Sequence, residues 1–458
     1  MVSTQSVSGK TARKPQGPLE RLNARAAGID IGAHEHYVAI PADLDEQPVR
    51  TFGCFTPDLH EMARWLKERG IETVAMESTG VYWIPVYRVL EEHGLDVRLV
   101  HARHVRCVPG RKTDVLDCQW LQELHSFGLL SSCFVVPGEL DALRTLWRHR
   151  ESLVASAGQQ IQLMHKALEQ MNMHLHKVLS DLSGVTGMAI IRAIVAGERD
   201  ALALARFRHG GCKSSEETII KALSGNWRPE HLFTLGQALA LFDIYQDKIR
   251  ECDQQIEETM AAFPTRGEPD KIRRAPATTR RKNQPHFDLR SELCRMTGVD
   301  LTAIDGIEAL TAQTVITECG IDLSAFPTEK HFASWLCLCP NNRKTGGKVK
   351  GRSTRRGQNR AATSLRLAAQ SLHHSKSALG AYFRRMKARR GAPKAITATA
   401  HRLACLVYRM LRYGAEYVDE GCQHYEEQHR ERELLMLTRR AKSLGYNLVS
   451  TTDGAIVS

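Results

Sequence analysis

Ala27-Gly-Ile-Asp-Ile-Gly32, followed at once by His36-Tyr-Val-Ala-Ile40, is the stretch on which the fold turns. Two short apolar runs separated by a polar Ala-His-Glu read as paired strands. Working outward, Val49–Phe55 reads as a third strand. Leu59, Met62, Trp65 and Leu66 recur at helical spacing across Asp58–Arg69. Ile71–Met76 then reads as strand, Val81–His93 as helix, Asp96–Val100 as strand and Asp114–Phe127 as helix. Three strands followed by alternating helix and strand make an α/β layer.

This is the element order expected of an RNase H-like domain, and its acids fall where that order would use them. Asp30 ends the first strand, and Glu77 ends the fourth within Ala75-Met-Glu-Ser-Thr-Gly80. Asp114 and Asp117 are three apart at a helix start and share one face. Carboxylates at the ends of neighbouring strands can converge at one sheet edge, where the helix adds two more. Such a set would hold two Mg²⁺ ions, which activate a nucleophile and stabilise the leaving oxygen in phosphodiester chemistry. Against this stands the ordinary reading of each acid alone, as a helix cap or a solvated strand end.

With 458 residues, 42% of them hydrophobic, the chain is long enough for several domains with real cores. No apolar run approaches the roughly 18 residues of a membrane span, and Met1–Pro18 is polar and basic. A soluble, cytoplasmic protein without a membrane partner is expected, its scattered cysteines reduced. The net charge is +12, yet Arg343 to Arg402 alone holds seventeen Lys and Arg with no Asp or Glu. A merely solvated face usually mixes signs, so a polyanion, DNA or RNA, is the favoured partner.

Residues 1–25 read as a disordered basic tail and 26–135 as the α/β catalytic domain. From Ile161 to Leu182 the apolar positions step by three and four, a heptad over about three repeats, and Phe242–Ile256 repeats the spacing. Residues 140–263 therefore read as coiled-coil helices, paired within the chain or between chains of a homo-oligomer, with an insertion at about 184–236. Residues 264–295 read as a basic linker, 296–420 as a mainly helical second domain, and 421–458 as a peripheral helix and tail. His34/His36, His174/His176 and His373/His374 show no cysteine or carboxylate set at zinc spacing and read as ordinary histidines.

In the second domain, Ile304-Asp-Gly-Ile307 is either a phosphate-contacting helix-hairpin-helix turn or an ordinary glycine turn. Trp335–Pro340 then runs into a polar, Gly-rich loop where Thr345 precedes Gly346-Gly347 among Arg343, Lys344 and Lys348. Cations there would favour an alkoxide and a phosphorane-like transition state. Arg352, Arg355, Arg356 and Arg360 follow, a candidate nucleic-acid surface. From spacing alone Thr345 reads as a turn hydroxyl.

Taken in order, Gly-Ile-Asp-Ile-Gly, Met-Glu-Ser-Thr-Gly-Val-Tyr-Trp, Arg-Lys-Thr-Asp-Val-Leu-Asp, the Asp-Gly-Ile turn and Pro-x₄-Thr-Gly-Gly-Lys resemble the DEDD transposases of bacterial insertion sequences, the "IS-one-ten" family. The resemblance spans roughly residues 26–420. It implies a RuvC-like domain, a coiled coil and a C-terminal transposase domain, with Asp30, Glu77, Asp114 and Asp117 matching the family's four acids. It also implies a DNA recombinase guided by a structured bridge RNA and working as a tetramer, with a composite site completed by a C-terminal serine; the homo-oligomer is expected to be a dimer or tetramer. That serine falls here on Thr345, whose β-methyl restricts its rotamers. Ser353 is the alternative nucleophile.

Other readings compete. A water-using, metal-dependent endonuclease of resolvase type needs only the four acids, and a non-catalytic nucleic-acid-binding relic needs none. An actin-like kinase would explain Gly-Ile-Asp-Ile-Gly but requires a second phosphate loop, which the sequence lacks in convincing context.

Overall fold

A computed structural model describes residues 20–449 apart from 79, 101–113, 137, 269–282, 342, 347, 352, 356, 358, 415–416, 418 and 420, and, within the strands, the side chains of 343–344 and 348–351. The chain divides into two compact units, residues 1–135 and 136–458. Among the described residues no helix is long and apolar enough to cross a membrane.

The first unit is built on a five-stranded mixed sheet. Strands β1 (Ala26–Ile31), β2 (Glu35–Ala39), β3 (Val49–Gly53), β4 (Thr73–Glu77) and β5 (Asp96–Val100) lie in the order β3-β2-β1-β4-β5. β1, β2 and β3 pair antiparallel, while β1–β4 and β4–β5 are parallel. Helices α1 (Thr56–Glu68) and α2 (Trp83–Glu92) link β3 to β4 and β4 to β5, and α3 (Asp114–Ser126) follows. Every one of these elements lies within two residues of the position expected from the sequence pattern.

Local chemistry explains the boundaries. Pro57 occupies the first turn of α1, where its missing N–H is harmless, and the Asp58 carboxylate accepts a hydrogen bond from the Phe55 N–H at 3.2 Å. The apolar stripe of α1, Leu59, Met62, Trp65 and Leu66, is buried against the sheet. Each such side chain contributes roughly 1.5–3 kcal/mol on leaving water.

Among its described residues, the second unit is helical apart from one hairpin. Its spine is α4 (Asp141–Gln170) packed antiparallel on α9 (Pro229–Ala261) within the one chain. Between them lie α5 (Leu175–Val178), α6 (Val185–Val195), α7 (Ala201–Ala205) and α8 (Glu216–Leu223), whose apolar faces share one core with the two long helices. The heptad run is not one continuous helix. α4 starts twenty residues before Ile161 and ends at Gln170, because Asn172 takes a left-handed conformation (φ 60°) and reverses the chain. Met171, Leu175 and Leu182 are buried all the same, so an apolar period of three and four persists through a turn.

Helix α10 (Leu289–Thr297) begins inside the stretch expected to be a linker. The Asp288 side chain caps it by accepting from the Ser291 N–H, and Leu289, Leu293, Cys294 and Met296 are buried. Then come α11 (Ala309–Cys319), α12 (Glu329–Trp335), the hairpin β6 (Arg343–Thr345) and β7 (Lys348–Gly351), α13 (Arg360–Ser371), α14 (Ala378–Arg390), α15 (Ala392–Tyr413) and α16 (Gly421–Ser443).

Candidate active site

β1 and β4 run parallel with Ile29 opposite Met76, so Asp30 and Glu77 follow side by side at the same end of neighbouring central strands. The helix α3 packs directly on β1 and brings Asp114 and Asp117 from its first turn to the same edge. Its close approach depends on Gly28, since a β-carbon there would lie 2.4 Å from the Cys118 carbonyl oxygen. The strand-and-helix order thus becomes one cluster of carboxylates.

Electrostatics tie the cluster together. Burial first, then the negative charges of Asp114, Asp117 and Glu77, raise the Asp30 carboxyl from its ordinary 3.8 to about 6. Beneath the acids the Cys118 thiol is buried and pushed up to about 12, first by burial and next by Asp30. These are the marks of a site short of positive charge. Its donors are all carboxylate oxygens, the ligand type that Mg²⁺ takes, so the residues fit such an ion. Among the described residues, no three of these acids bring ligand oxygens within 4.8 Å of one another.

Two neighbours escape a reading that follows acids alone. Tyr37 stands opposite Asp30 across the β1–β2 ladder, and its hydroxyl donates to Glu35 Oε1 at 2.6 Å. That hydrogen bond, and more weakly the charges of Asp114 and Asp30, hold the phenol above its usual range. The alternation of Glu35 and Tyr37 on one strand face was the available signal. Exposed Val81, Tyr82, Ile84, Val115 and Leu116 lie in the segments next to the acids in sequence, on the starts of α2 and α3.

In the second unit, the Gly-rich loop is a hairpin. Thr345 pairs with Lys348 at its tip, and Gly346 supplies the positive φ (55°) that such a tight link demands. At its foot the Asn341 N–H donates to the Ser353 carbonyl at 2.9 Å, beside a Pro340–Thr354 bridge. Thr345 and Ser353 are both exposed, at opposite ends of the same hairpin.

Residues 27–173 match a transposase family model of the DEDD type, and residues 300–384 match one described as "Transposase IS116/IS110/IS902 family", together just over half of the 458 residues. The chain belongs to this transposase family. No curated protein matches it.

In the basic stretch of this transposase some side chains are tethered to a partner, including the exposed Arg360 and Arg402. Arg360 forms an ion pair with Glu151 of α4 at 2.5 Å, Arg384 donates to the Ser375 carbonyl, and the Arg402 guanidinium lies 4.2 Å from the centre of the Tyr382 ring. Arg355, Lys387, Arg389, Arg390 and Lys394 are exposed. Arg352 and Arg356 lie outside the described residues, as do the side chains of Arg343, Lys344 and Lys348. The Ile304–Ile307 turn packs inward: a β-carbon on Gly306 would lie 2.9 Å from the Ala368 carbonyl oxygen of α13. This is the behaviour of a packing turn.

Proposed function

We propose that this transposase cuts and rejoins DNA strands as a site-specific recombinase, with Asp30, Glu77, Asp114 and Asp117 forming a Mg²⁺ centre in an RNase H-like (RuvC-like) domain. The observation that carries the reading is the convergence of three negative charges on a half-buried Asp30, raised to about 6. The sheet order, antiparallel on one side of β1 and parallel on the other, supports the RuvC-like assignment. Mg²⁺, when bound, supplies charge stabilisation at the scissile phosphate and polarises the attacking oxygen. Asp30 and Glu77 orient from the sheet edge, and Asp114 and Asp117 close the site from α3.

Thr345 is the proposed nucleophile. Its Oγ forms a bond to phosphorus as a DNA P–O bond breaks, the hydroxyl proton passes to solvent, and the departing DNA oxygen takes up a proton. The protein–DNA phosphodiester that results conserves the bond for rejoining. Its partners in this reading are DNA, further copies of the chain and, from the family resemblance, a structured guide RNA. Denaturing gels of the protein with its own element-end DNA and flanking transcript test it. A protein–DNA adduct is expected, dependent on both Asp30 and Mg²⁺. Nicking without an adduct would instead select the water-using nuclease, a reading favoured by the tip position of Thr345, where a hydroxyl also serves a turn.

A further inference from the structure

In the second unit, far along the sequence from the carboxylate cluster, two imidazoles and a carboxylate face one another. His165 and Glu169 are one turn apart on α4, and His176 comes back to them from α5. One ligand atom of each lies within 4.8 Å of the other two. The rings of His165 and His176 stand edge to face with centroids 4.5 Å apart, and His176 Nε2 is 3.5 Å from Glu169 Oε1.

The backbone that makes this convergence is firmly held. Asn172 turns the chain with a left-handed φ of 60°, and the Met173 N–H bonds back to the Leu168 carbonyl at 2.9 Å. The His174 N–H donates to Ala222 of α8, and the Asn226 N–H donates to the Met171 carbonyl, both at 2.9 Å. Met171, Met173 and Leu175 are fully buried, pinning the turn to the core that α4 shares with α8. His174 borders the triple, its ring 5.9 Å from that of His176 and its buried Nδ1 without a hydrogen-bond partner.

We propose that His165, Glu169 and His176 bind one Zn²⁺-class divalent ion, which clips the end of α4 to α5. Two imidazoles with one carboxylate suit a borderline ion such as Zn²⁺, whereas Mg²⁺ prefers oxygen alone. Ligand bonds of about 2.0–2.2 Å place neighbouring donors roughly 3.3 Å apart around the ion, within reach of side-chain rotation on this backbone. The side chains are part exposed, 32% for His176 and 46% for Glu169, so an ion and water can reach them from solvent. The site is independent of the transposase reading and of the four acids.

The test is Co²⁺ binding to the full, metal-stripped chain in excess Mg²⁺, followed by visible absorption. One Co²⁺ per chain is expected, with the bands of nitrogen and oxygen coordination and no thiolate charge-transfer band. Affinity should fall at least about tenfold in His165→Gln/His176→Gln and also in the exposed Glu169→Gln, which spares the core. Binding should persist in Asp30→Asn. Equal affinity in wild type and the histidine variant, a thiolate band, or loss of the ion only in Asp30→Asn would each overturn the proposal.

Discussion

Gly28 on the first strand meets Cys118 on the third helix with no room for a side chain between them. A β-carbon on Gly28 would lie 2.4 Å from the Cys118 carbonyl oxygen and 2.3 Å from the Gln122 amide nitrogen. Both are backbone atoms, so the helix itself would have to move. Because that helix carries Asp114 and Asp117, the absent β-carbon sets the distance between the helix acids and Asp30.

Gly28→Ala should therefore act on fold and site together. Overpacking against backbone should cost about 1–3 kcal/mol in urea unfolding. The displaced helix should also relax the repulsion on Asp30, and its carboxyl should titrate closer to 3.8 than to about 6. A variant of unchanged stability and unchanged Asp30 titration would show that the helix does not rest on this contact.

Asp30 gives the apo-protein a signed pH dependence. Its folded carboxyl keeps a proton up to about 6, whereas the unfolded one loses it near 3.8. The folded state binds more protons in that window, so this stabilising contribution is full below about 3.8 and lost as pH rises through about 6. Denaturation in metal-free buffer should show the decline in wild type and a flatter profile in Asp30→Asn. Adding Mg²⁺ at pH 8 should restore stability to wild type and do so far less in Asp30→Asn, while Asp30→Asn abolishes recombination and spares nucleic-acid binding.

Thr345 and Ser353 sit at the two ends of one hairpin and can be tested against each other. Thr345→Ala should eliminate the covalent adduct, and Thr345→Ser should retain or raise activity because the hydroxyl stays and the β-methyl goes. Ser353→Ala should change little. An adduct that survives Thr345→Ala and disappears in Ser353→Ala would move the nucleophile to the foot of the hairpin.

Arginines paired with a carboxylate and arginines without such a pairing among the described residues should respond differently to salt. Replacing Arg389 and Arg390 with Ala should flatten the slope of log affinity against log salt by about one to two units. Arg360→Ala should leave that slope in place and cost no more than about 1 kcal/mol of stability, since its partner Glu151 is half exposed. An unchanged slope for the Arg389/Arg390 pair would assign nucleic acid to another surface.

The first unit was legible because its strands alternate with amphipathic helices and each carboxylate falls at an element end. What could not be read was distance: nothing in the letters of Gly-Ile-Asp says that Gly28 takes a helix backbone against it. The heptads misled for a physical reason. A spacing of three and four reports which side chains face a core, and Met171 and Leu175 face theirs from either side of the Asn172 turn. The same turn hid the His165, Glu169 and His176 convergence, since His176 reaches the α4 face only by reversing. Tethering of Arg360 by Glu151, 209 positions earlier, is equally a fact of folding.

Arg150 and Asp253 pair inside the antiparallel helices, with side chains only 3% and 1% exposed. The pair also holds the chain beyond the helices: Arg150 Nη2 donates to the Asn283 carbonyl at 3.0 Å, and the His286 N–H to Asp253 Oδ2 at 3.1 Å. A buried charge stripped of its counter-ion costs about 3–5 kcal/mol. The segment returning at Asn283 is thus a third party to that pairing, and the helix spine should melt with it as one cooperative body. Dissection by truncation at Ala262 would not release a self-sufficient spine; it would let water in beside a deeply buried ion pair.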